Sequence, residues 1–310
     1  MNKSLAEITK LIDCLDLLHG GDQVVDLLVA CGERAVAPLR KYLMEGKPTH
    51  IYQPRQKAVN ALARLGAKEV LIEYLCAPKD IPDPVFRFGE EAVENTAARA
   101  LARWKTNDVF DVLLRIAYTR TLPGVIEALG SFRRPEPIPL FITALTDDIT
   151  RNAAENALKS IGEIAKPALI DAVCTQNPSE DSENPSIRLR RRSAMHILAA
   201  LTVTAEEWPR LKEFLHDNDP EISISAARVA LDSAFPEDKC AAIETLIGKI
   251  PHAGWYVQME IETCLVRNYS IAQRSIEKHI EKHMAQSEKV QAENRTLPIL
   301  LHIRRRAGAK

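Results

Sequence analysis

"AENALKSIGEIAKPALIDAV", Ala154 to Val173, decides the fold. Ala154, Ala157, Leu158 and Ile161 fall at i, i+3, i+4 and i+7, which places them on one face of an α-helix. Gly162 ends that pattern, as expected where a helix C-terminus needs a left-handed residue. Pro167 stands near the start of the next apolar run, where a missing N–H costs nothing. The stretch reads as helix, glycine turn, helix.

The same pattern recurs along the chain. Clear copies are "VVDLLVACGERAVAPLRKYL" from Val24 and "AVNALARLGAKEVLIEYL" from Ala58. Looser copies start at Ala97, Val125, Ala194 and Ala226. Gly32 and Gly66 repeat the glycine turn, and Pro38, Pro139 and Pro209 repeat the proline. Leu28, Leu62, Leu101, Leu129, Leu158, Leu198 and Leu231 are equivalent anchors, and no strand pattern lies between them. One helix pair cannot bury its own apolar face, so the pairs must stack.

"DDITRNAAENALKSIG", Asp147 to Gly162, resembles the HEAT repeats, in particular the short bacterial type called PBS-lyase-like, whose pattern is close to D-P-x-V-R-x-x-A-x-x-A-L-x-x-I-G. "DPEISISAARVAL", Asp219 to Leu231, keeps the opening but has Ser223 at the arginine position. The resemblance covers residues 22 to 268 and implies an all-α fold, a right-handed α-solenoid of stacked antiparallel helix pairs. The expected layout is an N-terminal capping helix in 1–21, about seven helix-pair repeats over 22–250, and a divergent C-terminal capping repeat with a basic tail over 251–310. The resemblance further implies that second helices line a concave side. It also implies that the repeat arginine, here Arg55, Arg151 and Arg191, ties neighbouring repeats together.

Composition restricts function more than it assigns it. The 310 residues are 46% apolar and 27% charged, with a formal net charge of −1. The molecule as a whole therefore has no pull toward nucleic acid or an anionic membrane. No run approaches the roughly 18 apolar residues that a bilayer span needs. Glu7, Asp13 and Asp16 interrupt the first apolar stretch, so no secretion signal is expected. The six cysteines form no C-x-x-C pair and mostly lie in apolar runs. They are expected to be buried, reduced thiols in a cytoplasmic protein.

Catalysis needs convergent polar groups, and the sequence offers few. His279 and His283 stand at i, i+4, but Glu281 is not where a zinc-protease helix needs it, and no third ligand is apparent. No metal or cofactor is expected. HEAT-like iron hydroxylases use His-Glu dipeptides, and this chain has none. The bilin lyases and lyase-chaperones of this repeat type leave no specific residue here. Glycosylases that remove alkylated bases use aromatics over a basic groove. Trp104, Trp208 and Trp255 are spread over three repeats, and Trp104 sits where a buried aliphatic is expected.

Surface candidates remain. On the second helices, Lys41, Glu73, Thr143, Asp171 and Glu213 fall two residues before the aligned apolar anchors and should face outward. This ridge is more acidic than basic, and a groove that tracks phosphates should be the reverse. Two loops interrupt the stack. Ala77 to Glu91 offers Phe86 and Phe88 as a loop contact, and Thr175 to Ser186 is polar and acidic. Basic residues gather at Arg188, Arg190 and Arg192 and at Arg304, Arg305 and Arg306. Residues 267–310 carry ten Lys or Arg against four Asp or Glu. The main expectation is a non-catalytic scaffold or adaptor that binds another protein. The alternative is a nucleic-acid-associated, glycosylase-like protein using the basic patches, with a lyase-like role third. No membrane partner is expected.

Overall fold

The computed structural model describes residues 3–16, 21–46, 51–175, 184–233, 236–285 and 295–308. It forms two compact units, Met1–Ile161 and Gly162–Lys310. No strand occurs among the described residues.

The first unit holds α1 (Leu5–Asp13), α2 (Gly21–Ala30), α3 (Val36–Glu45), α4 (Gln53–Arg64), α5 (Lys68–Cys76), α6 (Pro84–Leu101), α7 (Asn107–Thr119), α8 (Pro123–Gly130), α9 (Ile138–Ala144) and α10 (Arg151–Ile161). Helices α2, α4, α6, α8 and α10 pack in sequence as one layer, and each intervening helix packs against the first helix of the next pair. The second unit holds α11 (Lys166–Cys174), α12 (Pro185–Leu198), α13 (Pro220–Ser233), α14 (Pro236–Lys249), α15 (Trp255–Arg267), α16 (Tyr269–Met284) and α17 (Thr296–Gly308). There α11, α12, α13 and α14 pack in turn, and α17 lies against α15 and α16. The chain is an α-solenoid of helix pairs.

The sequence logic is visible in the packing. All seven anchor leucines are at most 3% exposed. The glycine turns do what the pattern requires: Gly66 has φ +79°. Its N–H donates to the Ala63 carbonyl at 3.2 Å, and the Ala67 N–H donates to Leu62 at 3.0 Å, the two bonds of a Schellman end. Pro139 and Pro167 open α9 and α11.

Three expectations need correction. The segment Ala77–Glu91 is not a loop throughout. Asp83 Oδ1 accepts from the N–H groups of Val85 and Phe86, Pro84 sits in the first turn, and α6 therefore starts there and runs for 18 residues. The second helix after α12 is replaced by two short 3-10 turns, Trp208–Arg210 and Lys212–His216. Trp208, at the start of the first turn, is fully buried, with its Nε1 donating to Asp238 at 3.1 Å. Pro209 follows it and has no N–H to donate to a helical ladder. The cysteines are also less buried than expected: only Cys31 is buried, while Cys76 and Cys240 are exposed on helix faces turned to solvent.

Candidate functional site

A concavity of the first unit lies where two neighbouring helices differ in length. Helix α6 has 18 residues and its layer neighbour α8 has 8. The difference is about 15 Å of axis. Helix α8 begins against Asn95 of α6, whose side-chain oxygen accepts from the Gly124 N–H at 2.7 Å. A side chain at Gly124 would overlap the Asn95 backbone, so the approach is as close as glycine allows. The turns of α6 before Asn95 therefore run past the start of α8, while α4 packs on their other side.

The result is a groove of about 1060 Å³, lined by residues of α4, α6, α7, α8, α9 and the turn before α10. Its rim is apolar and exposed: Phe88 is 65%, Tyr118 67% and Ile149 74% accessible. Tyr52 meets Phe88 edge-to-face at 6.3 Å, which holds the Phe88 ring upright on the first turns of α6. Below them, Gln56 Nε2 donates to the Ala92 carbonyl at 3.1 Å and to Thr96 Oγ1 at 2.9 Å, locking α4 to α6. Arg99 is ion-paired with Glu127 and Arg120 with Glu94, so both basic side chains of the groove are already engaged.

Under the groove lies a buried ionic cluster. Arg55 pairs with Glu90 and donates to the Leu43 carbonyl at 2.8 Å. The Tyr74 hydroxyl donates to Glu90 at 2.5 Å. Lys79 and Arg120 each reach Glu94 at 2.6 Å. Burial alone would raise the Glu90 carboxyl, but hydrogen bonds from Arg55 and Tyr74 outweigh it and hold the group below its usual range. Burial lowers the Lys79 ammonium, against the opposing pull of Glu94.

The predicted site residues fall in different places. Phe88 and Thr143 line the groove, whereas Phe86 stands outside its lining. Lys41, Glu73, Thr143, Asp171 and Glu213 are all exposed, the first four on second helices and Glu213 on the 3-10 turn Lys212–His216 that stands in place of one. Two of the acids are neutralised by arginines that the register did not include: Glu73 by Arg40 of α3, and Asp171 by Arg210 at 2.7 Å. Lys41 lies 4.0 Å from Glu45.

In the second unit, Arg191 is buried and pairs with Asp217, and Arg192 pairs with Asp219 at 2.6 Å. Arg190 donates to the Thr175 carbonyl at 3.4 Å, and Arg188 is exposed. The acidic part of the Thr175–Ser186 loop, "SEDSE", lies outside the described residues. Arg304 pairs with Glu277 at 3.2 Å, Arg306 with Glu262, and Arg305 meets His302 at 3.1 Å. Of the repeat arginines, Arg55 and Arg191 bridge successive repeats, while Arg151 pairs with Asp148 at 2.7 Å within its own turn. His279 faces Glu244 at 2.8 Å. No group of three side chains suited to a metal occurs among the described residues. No described helix is long and apolar enough to cross a membrane. Trp104 is half-buried rather than core, because it follows the end of α6 in a turn. Trp255 is 74% exposed on the first turn of α15.

Tyr52, Tyr118 and Ile149 were not among the sequence candidates. The available signal was the pair of shortest anchor steps, Leu101 to Leu129 to Leu158, which marks the compressed pair that opens the groove.

No protein-family model and no curated protein matches this sequence. Among solved structures, importin beta aligns with a TM-score of 0.59 at 13% identity, covering 96% of this chain and 44% of importin beta. The chain thus spans less than half the length of that protein. An engineered protein aligns at 0.42 and 15% identity over 98% of this chain and 92% of its own. Human deoxyhypusine hydroxylase aligns at 0.32 and 16% identity over 87% and 96%. The first likeness concerns fold alone, and the other two scores are too low to bear on function. Together with the helix pairs and their glycine ends, the importin beta alignment supports a HEAT-like solenoid fold for this chain.

Proposed function

We propose that this chain is a non-catalytic protein-interaction scaffold of the short bacterial HEAT type, acting in the cytoplasm, with the groove of the first unit as its main contact surface. One observation carries the reading: Phe88, Tyr118 and Ile149 stand largely exposed around a single concave surface of about 1060 Å³. Apolar rings concentrated around a groove are the usual anchors of a protein interface, because covering them removes large apolar area at little conformational cost. The ion-paired state of Arg99, Arg192, Arg304 and Arg306 weighs against an extended surface that tracks a nucleic-acid backbone, which needs a row of free cations.

The test is affinity capture from the native cells with tagged wild type and a Phe88→Asp, Tyr118→Asp double variant. A protein recovered by wild type should be lost roughly tenfold or more with the variant. A recovered set indifferent to the variant, or one abolished by nuclease treatment, would overturn the proposal.

A further inference from the structure

Beside the groove, where α5 ends and α7 passes it, Lys79, Arg115 and Arg120 border a second cavity of about 410 Å³. Its charges do not balance. Arg55 and Tyr74 hold Glu90, which Lys79 also approaches at 3.6 Å. Lys79 and Arg120 share Glu94. Arg115 has no carboxylate within ion-pair distance among the described residues, and its guanidinium lies 3.7 Å from Cys76 Sγ. Arg55, Lys79 and Arg120 thus share Glu90 and Glu94, which leaves one positive charge in excess, and the exposed Arg115 adds a second at the cavity. Three of the four cations line the cavity. Positive charge on the part-buried Lys79 is costly unless anions meet it, and Arg115 presents a second guanidinium, unpaired among the described residues, to the same cavity.

We propose that this cavity binds a phosphate group. A phosphate dianion matches the excess of two charges, and a guanidinium can bind two of its oxygens at once. The group has two sources: a free phosphate, or a phosphorylated side chain on a protein segment. Arg120 lines both this cavity and the apolar groove, so a segment lying in the groove has the site within reach. The site stands whether or not the groove binds a protein.

The experiment is calorimetric titration of the full chain with inorganic phosphate, with ionic strength held constant by sodium chloride, alongside thermal melting in the same buffers. Wild type should show saturable binding and a melting temperature that rises with phosphate. Arg115 is exposed and makes no ion pair among the described residues, so Arg115→Gln should melt normally in chloride yet bind phosphate about tenfold more weakly. Cys76→Ser keeps all the cations and should bind as wild type. A phosphoserine peptide library, set against its serine counterpart, separates the sources. Tighter binding than inorganic phosphate, weakened by Tyr118→Ala, assigns the group to a protein segment; binding no tighter assigns it to a free phosphate, and either result upholds the site. No saturable binding of phosphate or phosphopeptide, or binding that Arg115→Gln leaves unchanged, would overturn it.

Discussion

The guanidinium of Arg191 in α12 lies 2.5 Å from the carboxylate of Asp217 in the turn that leads into α13. Both are largely buried, and Arg191 Nε also donates to the Val173 carbonyl at the end of α11 at 3.2 Å. One side chain therefore joins three consecutive segments of the second unit, with its charge over the Phe214 ring at 5.3 Å. Removing one partner of a buried pair strands the other, at a cost of about 3–5 kcal/mol. Arg191→Ala should destabilise the protein by that order, and Arg191→Lys, which keeps a charge but loses the fork, by less. Urea unfolding monitored by circular dichroism checks both, and an unchanged midpoint for Arg191→Ala would refute the role.

The equivalent tie in the first unit predicts a pH dependence. Glu90 has its folded pKa below the unfolded value because Arg55 and Tyr74 bonds outweigh burial. Its contribution to stability is therefore complete above about pH 4.5 and is lost as pH falls through the depressed folded value. Glu90→Gln should flatten the acid limb of the stability curve while lowering stability at pH 7. A melting series from neutral to acid pH on both proteins decides it, and parallel curves would count against the assignment.

How far the sequence could be read depends on the range of the interaction. The glycine turns at Gly32, Gly66 and Gly162 and the anchor leucines are local, periodic features, and local sterics fix them. Arg55 and Arg191 were legible because they sit at a constant offset from an anchor. Their acidic partners were not: Glu90 lies 35 residues beyond Arg55, on a helix whose extra turns the repeat pattern does not contain. The acidic second-helix register gave an incomplete picture for the same reason, since Arg40 and Arg210 reach it from neighbouring repeats. The groove was least visible, because it comes from the difference in length between α6 and α8 rather than from any motif.

That difference can be separated from overall stability. Phe88 and Tyr118 are mostly exposed, so Phe88→Ala and Tyr118→Ala should each change stability by no more than about 0.5 kcal/mol. Recovery of a groove-bound partner should nevertheless fall. Melting curves on the purified variants check the first half of the expectation. A loss of several kcal/mol for either would mean that the ring supports the fold rather than the surface.

The close approach of α8 to α6 gives the last prediction. A Cβ at Gly124 would collide with the backbone of Asn95, and backbone cannot swing aside as a flexible side chain can. Gly124→Ala should therefore push α8 off α6, break the N–H bond to Asn95 and cost about 1–3 kcal/mol. Gly248 in α14 is the internal control. It is exposed, has helical φ, and a Cβ there meets nothing within 4 Å. Gly248→Ala should stabilise by about 0.5–1 kcal/mol, because alanine has less backbone freedom to lose on folding. Opposite signs for the two substitutions in one urea series would show that contact, not helix propensity, sets the α6–α8 junction. A neutral Gly124→Ala would mean that α8 can shift along α6, and the mouth of the groove with it.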